Sequence, residues 1–337
     1  MRSILSILLL LLSFEISQAQ PSKIIFDTDF ALDVDDAGSL AILNTCINRG
    51  ECQLLGIVVS SSLNSYDGKW AVPAIDAINT WYKHQNIPIG IYKGINPIKD
   101  DSSHYTKQVQ AAFPHNYKPG DTILEGYKLY RKILASQPDH SVKVLTVGFL
   151  NNLEQLLKSG PDEYSSLNGS KLVKLKVREW ICMGGSYPTG NEEFNFNIYP
   201  QSTKYVLSHW PTVATFVGFE LGDKVLSGGM LNTRYKKENN PVAMSFYYYC
   251  QGNNRSSWDE LTTLYAVKGL GKMFSAVRGW NTEYNIDENI KPGERPHGRN
   301  VWMKDPAGSH QYLKLQIPVS DMEKILDLLM VTPPIEH

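Results

Sequence analysis

Cysteine is scarce in this chain. The 337 residues hold four, Cys46, Cys52, Cys182 and Cys250, with no C-x-x-C pair. That spacing gives no support to a structural zinc site or a dithiol redox centre. Cys46 and Cys52 are close enough in sequence to close a small disulfide loop, but a chain of this length buries enough apolar surface to fold without staples, and small buried thiols are the plainer reading. Net charge is missing too: 33 Lys and Arg against 34 Asp and Glu leave −1. Without a global positive field, nucleic acid is excluded as a main partner. Repeats, low-complexity tracts and a composition break between domains are absent. His84, His104, His115, His140 and His209 show no paired ligand spacing, and neither "MGG" nor "SGGM" (227–230) has the flanks of a phosphate loop.

Long apolar runs are confined to the first twenty residues. Arg2 precedes an almost unbroken aliphatic stretch from Ile4 to Leu12, and "SQA" (17–19) places small residues where a signal peptidase cuts. The stretch is too short to span a bilayer comfortably. Residues 1–19 are therefore expected to be a secretory signal peptide and residues 20–337 a single exported domain, periplasmic or extracellular, with no membrane span once the signal is removed. Cleavage removes one Arg and one Glu, so the net charge stays at −1.

In the mature chain, short apolar runs alternate with helical periodicity. "SKIIFD" reads as a buried strand and "DDAGSLAILNTCIN" as a helix with Asp35 and Asp36 at its dipole-favoured N-terminal end. "QLLGIVVS" (53–60) is a second strand, residues 69–84 a helix interrupted early by Pro73, and "VKVLTVG" (142–148) a third strand leading into the helix "NNLEQLLKS". Residues 171–185 and 213–219 complete the strands, and the aromatic run Phe246 to Tyr249 reads as helix packing. Such alternation predicts one α/β domain with a mostly parallel, Rossmann-like sheet covered by helices on both faces. Ligands of these sheets sit outside the carboxyl ends of the strands. Asp27–Asp36, Ser60–Asn64, Asn151 and the loop from Gly184 to Asn195 all follow strand ends and are expected to converge.

The strongest local signal is "DTDFALDVDD", five aspartates (27, 29, 33, 35 and 36) in ten positions. One or two acids would cap a helix; five repel one another unless a positive charge holds them, and a hard divalent cation with oxygen ligands suits them. An EF-hand loop starting at Asp33 fails at Ala37 and Asn44. A haloacid-dehalogenase-like phosphatase would use Asp27 as nucleophile with Asp29, leaving Asp35 and Asp36 unexplained.

A third pattern accounts for more. "DTDFALDVDDA" resembles the N-terminal signature of the inosine-uridine-preferring nucleoside hydrolases, above all a secreted bacterial branch. "GIVVSSSLNSY", "AVPAIDAINTWY" and "IPIGIYKG" are similar to that family's next strand, helix and strand. "TVGFLNNL" (146–153), "MGGSYPTGNEEFNFNIYP" (183–200) and "SSWDELTTLYAV" (256–267) follow in the family's order.

The resemblance implies roles. Asp29, Asp36 and Asp259 would bind calcium, together with the backbone carbonyl of Asn151, and Asp29 would also be the base for the attacking water. Asp35, Asn64, Glu193 and Asn195 would hold the ribose, with Trp258 beside the base. Asp27 and Asp33 would be supports. The implied reaction is hydrolysis of a ribonucleoside, or a related N-ribosyl compound, to ribose and free base by a calcium-bound water activated by an aspartate. Such hydrolysis passes through a ribosyl cation, which surrounding carboxylates favour. The partner is a small-molecule nucleoside, and a homo-oligomer is compatible with the sequence. Two departures stand out: Phe30-Ala31-Leu32 lacks the family's turn glycine, and Trp258 replaces a histidine that one branch has before the last aspartate. The altered turn motivates the alternative of a calcium-containing ribose-binding protein without turnover.

Overall fold

The computed structural model describes residues 20–61, 68–95, 97–98, 105–118, 120–287, 291 and 297–335. Residues 1–19, where a signal peptide is expected, and Asn64 lie outside the described residues. Strand β1 (Ser22–Thr28) leads into α1 (Asp35–Asn48), β2 (Cys52–Val59), α2 (Ala71–Trp81), β3 (Ile89–Ile91) and α3 (Tyr105–Ala112). The chain continues through β4 (Leu124–Glu125), α4 (Gly126–Ser136), β5 (Val142–Thr146), α5 (Asn151–Lys158) and α6 (Gly169–Lys176). Strand β6 (Val177–Met183) precedes α7 (Phe194–Ile198) and α8 (Pro200–His209), then β7 (Val213–Val217) and α9 (Phe219–Gly222). A small hairpin of β8 (Leu226–Ser227) and β9 (Arg255–Ser256) encloses α10 (Gly229–Arg234) and α11 (Pro241–Cys250). Helix α12 (Trp258–Lys268), strands β10 (Phe274–Ile286), β11 (Gly298–Lys304) and β12 (His310–Leu315), and α13 (Val319–Met330) complete the fold.

Among the described residues, ten strands form one sheet in the order β11-β10-β12-β7-β6-β5-β1-β2-β3-β4, and of these only β10 runs against the common direction. The chain builds outward from β1 through β2, β3 and β4, then returns to β5 on the other side of β1. That reversal puts a topological switch point between β1 and β5, where the diverging connections leave a crevice.

Both faces of the sheet are covered, so the strands read as continuous apolar runs. Side-chain alternation along β1 sends Ile24 and Phe26 into one core, with α1 and α2, and Ile25 into the other, with α4 and α5. Asp27 follows the Ile25 face. Tyr130 of α4 donates to its Oδ2 at 2.9 Å and Asn152 of α5 to its Oδ1 at 3.3 Å, and burial pushes its carboxyl up. With both oxygens occupied on the far face, Asp27 is a support for the strand end and is not placed as a nucleophile.

Three sequence expectations change. Residues 171–185 are not one strand: their first part belongs to α6, whose N-terminus is capped by the Asn168 side chain accepting from Lys171 N at 2.9 Å. The 69–84 helix is shorter, with a 3-10 turn over Gly68–Trp70 and Pro73 in the first turn of α2, where a missing N–H costs little. Strand β7 stops at Val217, ahead of Gly218 and α9. Cys46 and Cys52 are buried free thiols.

The turn after β1 keeps a left-handed residue without glycine: Ala31 has φ 103°. Its N–H donates to Tyr105 Oη at 3.2 Å, and that hydroxyl donates to the Asp33 carbonyl at 2.9 Å. Helix α3 thus clamps a backbone geometry that an alanine resists. Ala31→Gly should stabilise the protein by about 1 kcal/mol in urea unfolding, because the strain relieved outweighs the added freedom of the unfolded chain. A less stable variant would contradict this account of the turn.

Candidate active site

At the carboxyl end of β1, three side chains hold the acidic segment in shape. Thr28 Oγ1 donates to Asp36 Oδ1 and accepts from Phe30 N at 3.2 Å. Ser60, at the end of β2, donates from Oγ to Thr28 O at 3.2 Å and accepts there from Phe149 N at 3.1 Å. Its carbonyl accepts from Asn151 Nδ2 at 2.9 Å. One serine therefore ties together the ends of β1, β2 and β5. Gly148 lies so close that a Cβ would meet Asp29 N at 2.4 Å, so any side chain there would displace Asp29.

The converging loops enclose a cavity of about 360 Å³ lined by Asp29, Asp33, Asp35, Asp36, Glu193, Asn195, Trp258 and Asp259, with Tyr249, Arg255, Phe194 and Phe219 among its other walls. Carboxylate oxygens of Asp35, Asp36 and Asp259 come within 4.8 Å of one another. Asp29 faces the same cavity and its charge bears on all three. Helix α12 brings Asp259 to the first-turn acids of α1: Asp259 N donates to Asp35 Oδ2 at 3.3 Å.

Burial, and then the charges of neighbouring aspartates, push the Asp35, Asp36 and Asp259 carboxyls well above the usual range. Asp36 Oδ2 is buried with no hydrogen-bond partner among the described residues. An orphaned carboxylate oxygen inside an all-oxygen donor set fits a hard divalent cation.

Glu193 caps α7 and accepts backbone N–H groups from Gly185 at 3.0 Å, Asn195 at 2.8 Å and Phe196 at 3.0 Å. Burial still raises it to about 7. Asn195 Nδ2 donates to Val147 O at 2.9 Å, pinning α7 to the end of β5. Phe196 packs on Gly184, where a Cβ would meet its ring at 2.2 Å.

Asn151 is placed differently from the acids. It starts α5 beside Ser60, and its side chain lines a wider cleft of about 730 Å³ with Tyr92 and Glu154. Trp258 is half-buried: its ring stacks on Phe219 at 5.5 Å and its Nε1 donates to Phe219 O at 3.0 Å. Packing and cavity wall are therefore both its roles.

Arg255 was not singled out in the sequence. Its Nε reaches Asp33 Oδ1 at 3.1 Å and its Nη2 reaches Oδ2 at 2.6 Å, while the guanidinium lies 5.1 Å from the Trp258 ring. No local pattern links residues 222 positions apart. The one available signal was a lone arginine three residues before the tryptophan of "SSWDE".

The raised carboxyls carry a pH consequence. Between an ordinary carboxyl pKa of about 4 and their higher folded values, the folded protein retains protons that the unfolded chain has lost, so stability falls as pH rises. A divalent cation favours the ionised form and offsets that loss. An added hard divalent cation that binds here should therefore raise Tm over a chelated sample by more at pH 8 than at pH 5; equal shifts would exclude these aspartates as its ligands.

Residues 24–308 match the family described as inosine-uridine preferring nucleoside hydrolase. Comparison with curated proteins gives no match. Among solved structures, the fold is similar to an inosine-uridine preferring nucleoside hydrolase from Bacillus anthracis, at 16% identity and TM-score 0.63, covering 92% of this chain and 99% of that one. It is also similar to an inosine-guanosine nucleoside hydrolase, at 15% identity and TM-score 0.65, covering 93% and 100%. A purine-preferring ribonucleoside hydrolase from Gardnerella vaginalis gives 16%, 0.63, 92% and 100%. With a match over most of its length, the chain belongs to the inosine-uridine preferring nucleoside hydrolases, N-glycosidases that act on ribonucleosides.

Proposed function

We propose that this protein is an exported, calcium-dependent hydrolase that cleaves the N-glycosidic bond of ribonucleosides to ribose and free base. The observation that carries the reading is the convergence of Asp29, Asp35, Asp36, Glu193, Asn195 and Asp259 on one cavity at the β1/β5 switch point.

Asp29, Asp36 and Asp259 would hold the ion, with the Asn151 carbonyl completing the set. When bound, calcium orients the attacking water and lowers its pKa. The chain's own residues do the rest. Asp29 accepts the proton as the water oxygen bonds to C1′, and the electron pair of the breaking C1′–N bond moves onto the base. Asp35, Glu193 and Asn195 grip ribose hydroxyls, and Asn64 belongs with them in this reading. The surrounding carboxylates favour the positive charge that develops on the ribosyl ring. Trp258 and Phe219 form the wall beside the base. Residues 1–19 direct export.

Incubating the mature protein with inosine, uridine and other ribonucleosides should release ribose, and chelation should stop the release. Asp29→Asn should abolish turnover, a loss of 1,000-fold or more for a group acting as base on the attacking water, on the order of general-base contributions. Asp33→Asn, which removes a support, should be milder. Equal losses would overturn this division of roles, and ligand binding without ribose release would overturn the catalytic reading.

A further inference from the structure

The departing base needs a donor, and the cavity is short of them. As C1′–N breaks, the electron pair moves to the base nitrogen, which leaves as an anion unless a proton or a hydrogen bond meets it. Acids aside, the described cavity-lining side chains with N–H or O–H donors are Asn195, Tyr249, Arg255 and Trp258. Asn195 Nδ2 is committed to the Val147 carbonyl and Trp258 Nε1 to the Phe219 carbonyl. The Tyr249 hydroxyl engages Asp33. Arg255 spends Nε and Nη2 on the Asp33 carboxylate, and its Nη1 has no partner among the described residues.

The guanidinium is also held in place. The fork onto Asp33 fixes its plane, and the rings of Tyr249 and Trp258 lie 5.7 and 5.1 Å from its carbon. Its side chain is 35% exposed, whereas Asp35, Asp36 and Asp259 are at most 3% exposed, so it sits at the rim above an acidic floor. Ribose on that floor leaves the base at the rim. Pairing with Asp33 cancels most of the arginine's net charge, which suits a neutral base that turns anionic only as it leaves.

Resting on the hydrolase reading above, we propose that Arg255, positioned by Asp33, is the leaving-group residue: its Nη1–H donates to the base as C1′–N breaks. The arginine transfers no proton, because the guanidinium stays charged throughout. Water bonds to C1′, its proton passes to Asp29, the C1′–N electron pair settles on the base, and solvent protonates the free base afterwards. The gain is electrostatic, a donor already oriented where charge develops.

Leaving-group dependence tests this. With calcium present, the ribonucleoside that the wild type cleaves fastest is compared with 4-nitrophenyl β-D-ribofuranoside, whose phenolate departs without help. Arg255→Met should lower the ratio of kcat on the nucleoside to kcat on the nitrophenyl riboside by about 100-fold, with little change in KM for the nucleoside. Arg255→Lys, which keeps charge and a donor but loses the fork, should recover part of that ratio. A near-unchanged melting temperature shows that the variants fold. Equal losses on both substrates, or no loss on either, would overturn the proposal while leaving the hydrolase reading intact. A wild type that releases ribose from neither compound overturns that reading, and this one with it.

Discussion

Mutual repulsion among buried carboxylates is the constraint on which this structure turns. Asp29, Asp35, Asp36 and Asp259 face one cavity and are almost wholly removed from water. Ionised together without a cation, such a set is costly, and protonated it loses its chemistry. The architecture around it resists the natural response, which is to splay apart. Thr28 holds Asp36, the Asp259 N–H holds Asp35, and Gly148 presses against the backbone of Asp29. The rigidity of the sheet ends is what makes the cluster a site for a cation and not a patch of surface acid.

Topology explains why these residues meet. Because β1 is central, its two neighbours β2 and β5 come from opposite directions of chain growth, and their following loops diverge. The crevice between them collects the acids after β1, Ser60 after β2 and the Gly148–Asn151 turn after β5. Alternation along β1 then divides the labour. Asp27 goes to the α4/α5 face, where Tyr130 and Asn152 satisfy it, while the later acids turn into the cavity.

Much of this was legible in the sequence. A buried strand ending in acids, an apolar helix opening with Asp35 and Asp36, and strand-end loops bearing Glu193 and Asn195 are local patterns, and local patterns are what periodicity reports. Three things were not local. Residues 171–176 alternate lysine with apolar side chains in a way that suits a strand as well as a helix, and only the Asn168 cap decides for α6. Edge strand β11, its antiparallel neighbour β10, and β12 beyond it carry mixed burial that blurs any period. The Asp33–Arg255 pair joins distant segments through the fold alone.

That pair changes the meaning of Asp33 and of the turn beside it. In sequence, the missing glycine at Ala31 looked like a defect in the acidic segment. In the structure, Tyr105 binds the Asp33 carbonyl, and Arg255 and Tyr249 bind its carboxylate. Tyr105 also receives the Ala31 N–H. Strain at Ala31, the clamp from α3 and the orientation of Arg255 at the rim are therefore one connected device. A φ of 103° at an alanine persists only where neighbours over-determine it, and here the over-determining contacts run to the guanidinium above the acids. Backbone strain in the β1 turn and the direction of a donor at the cavity mouth are set by the same few bonds.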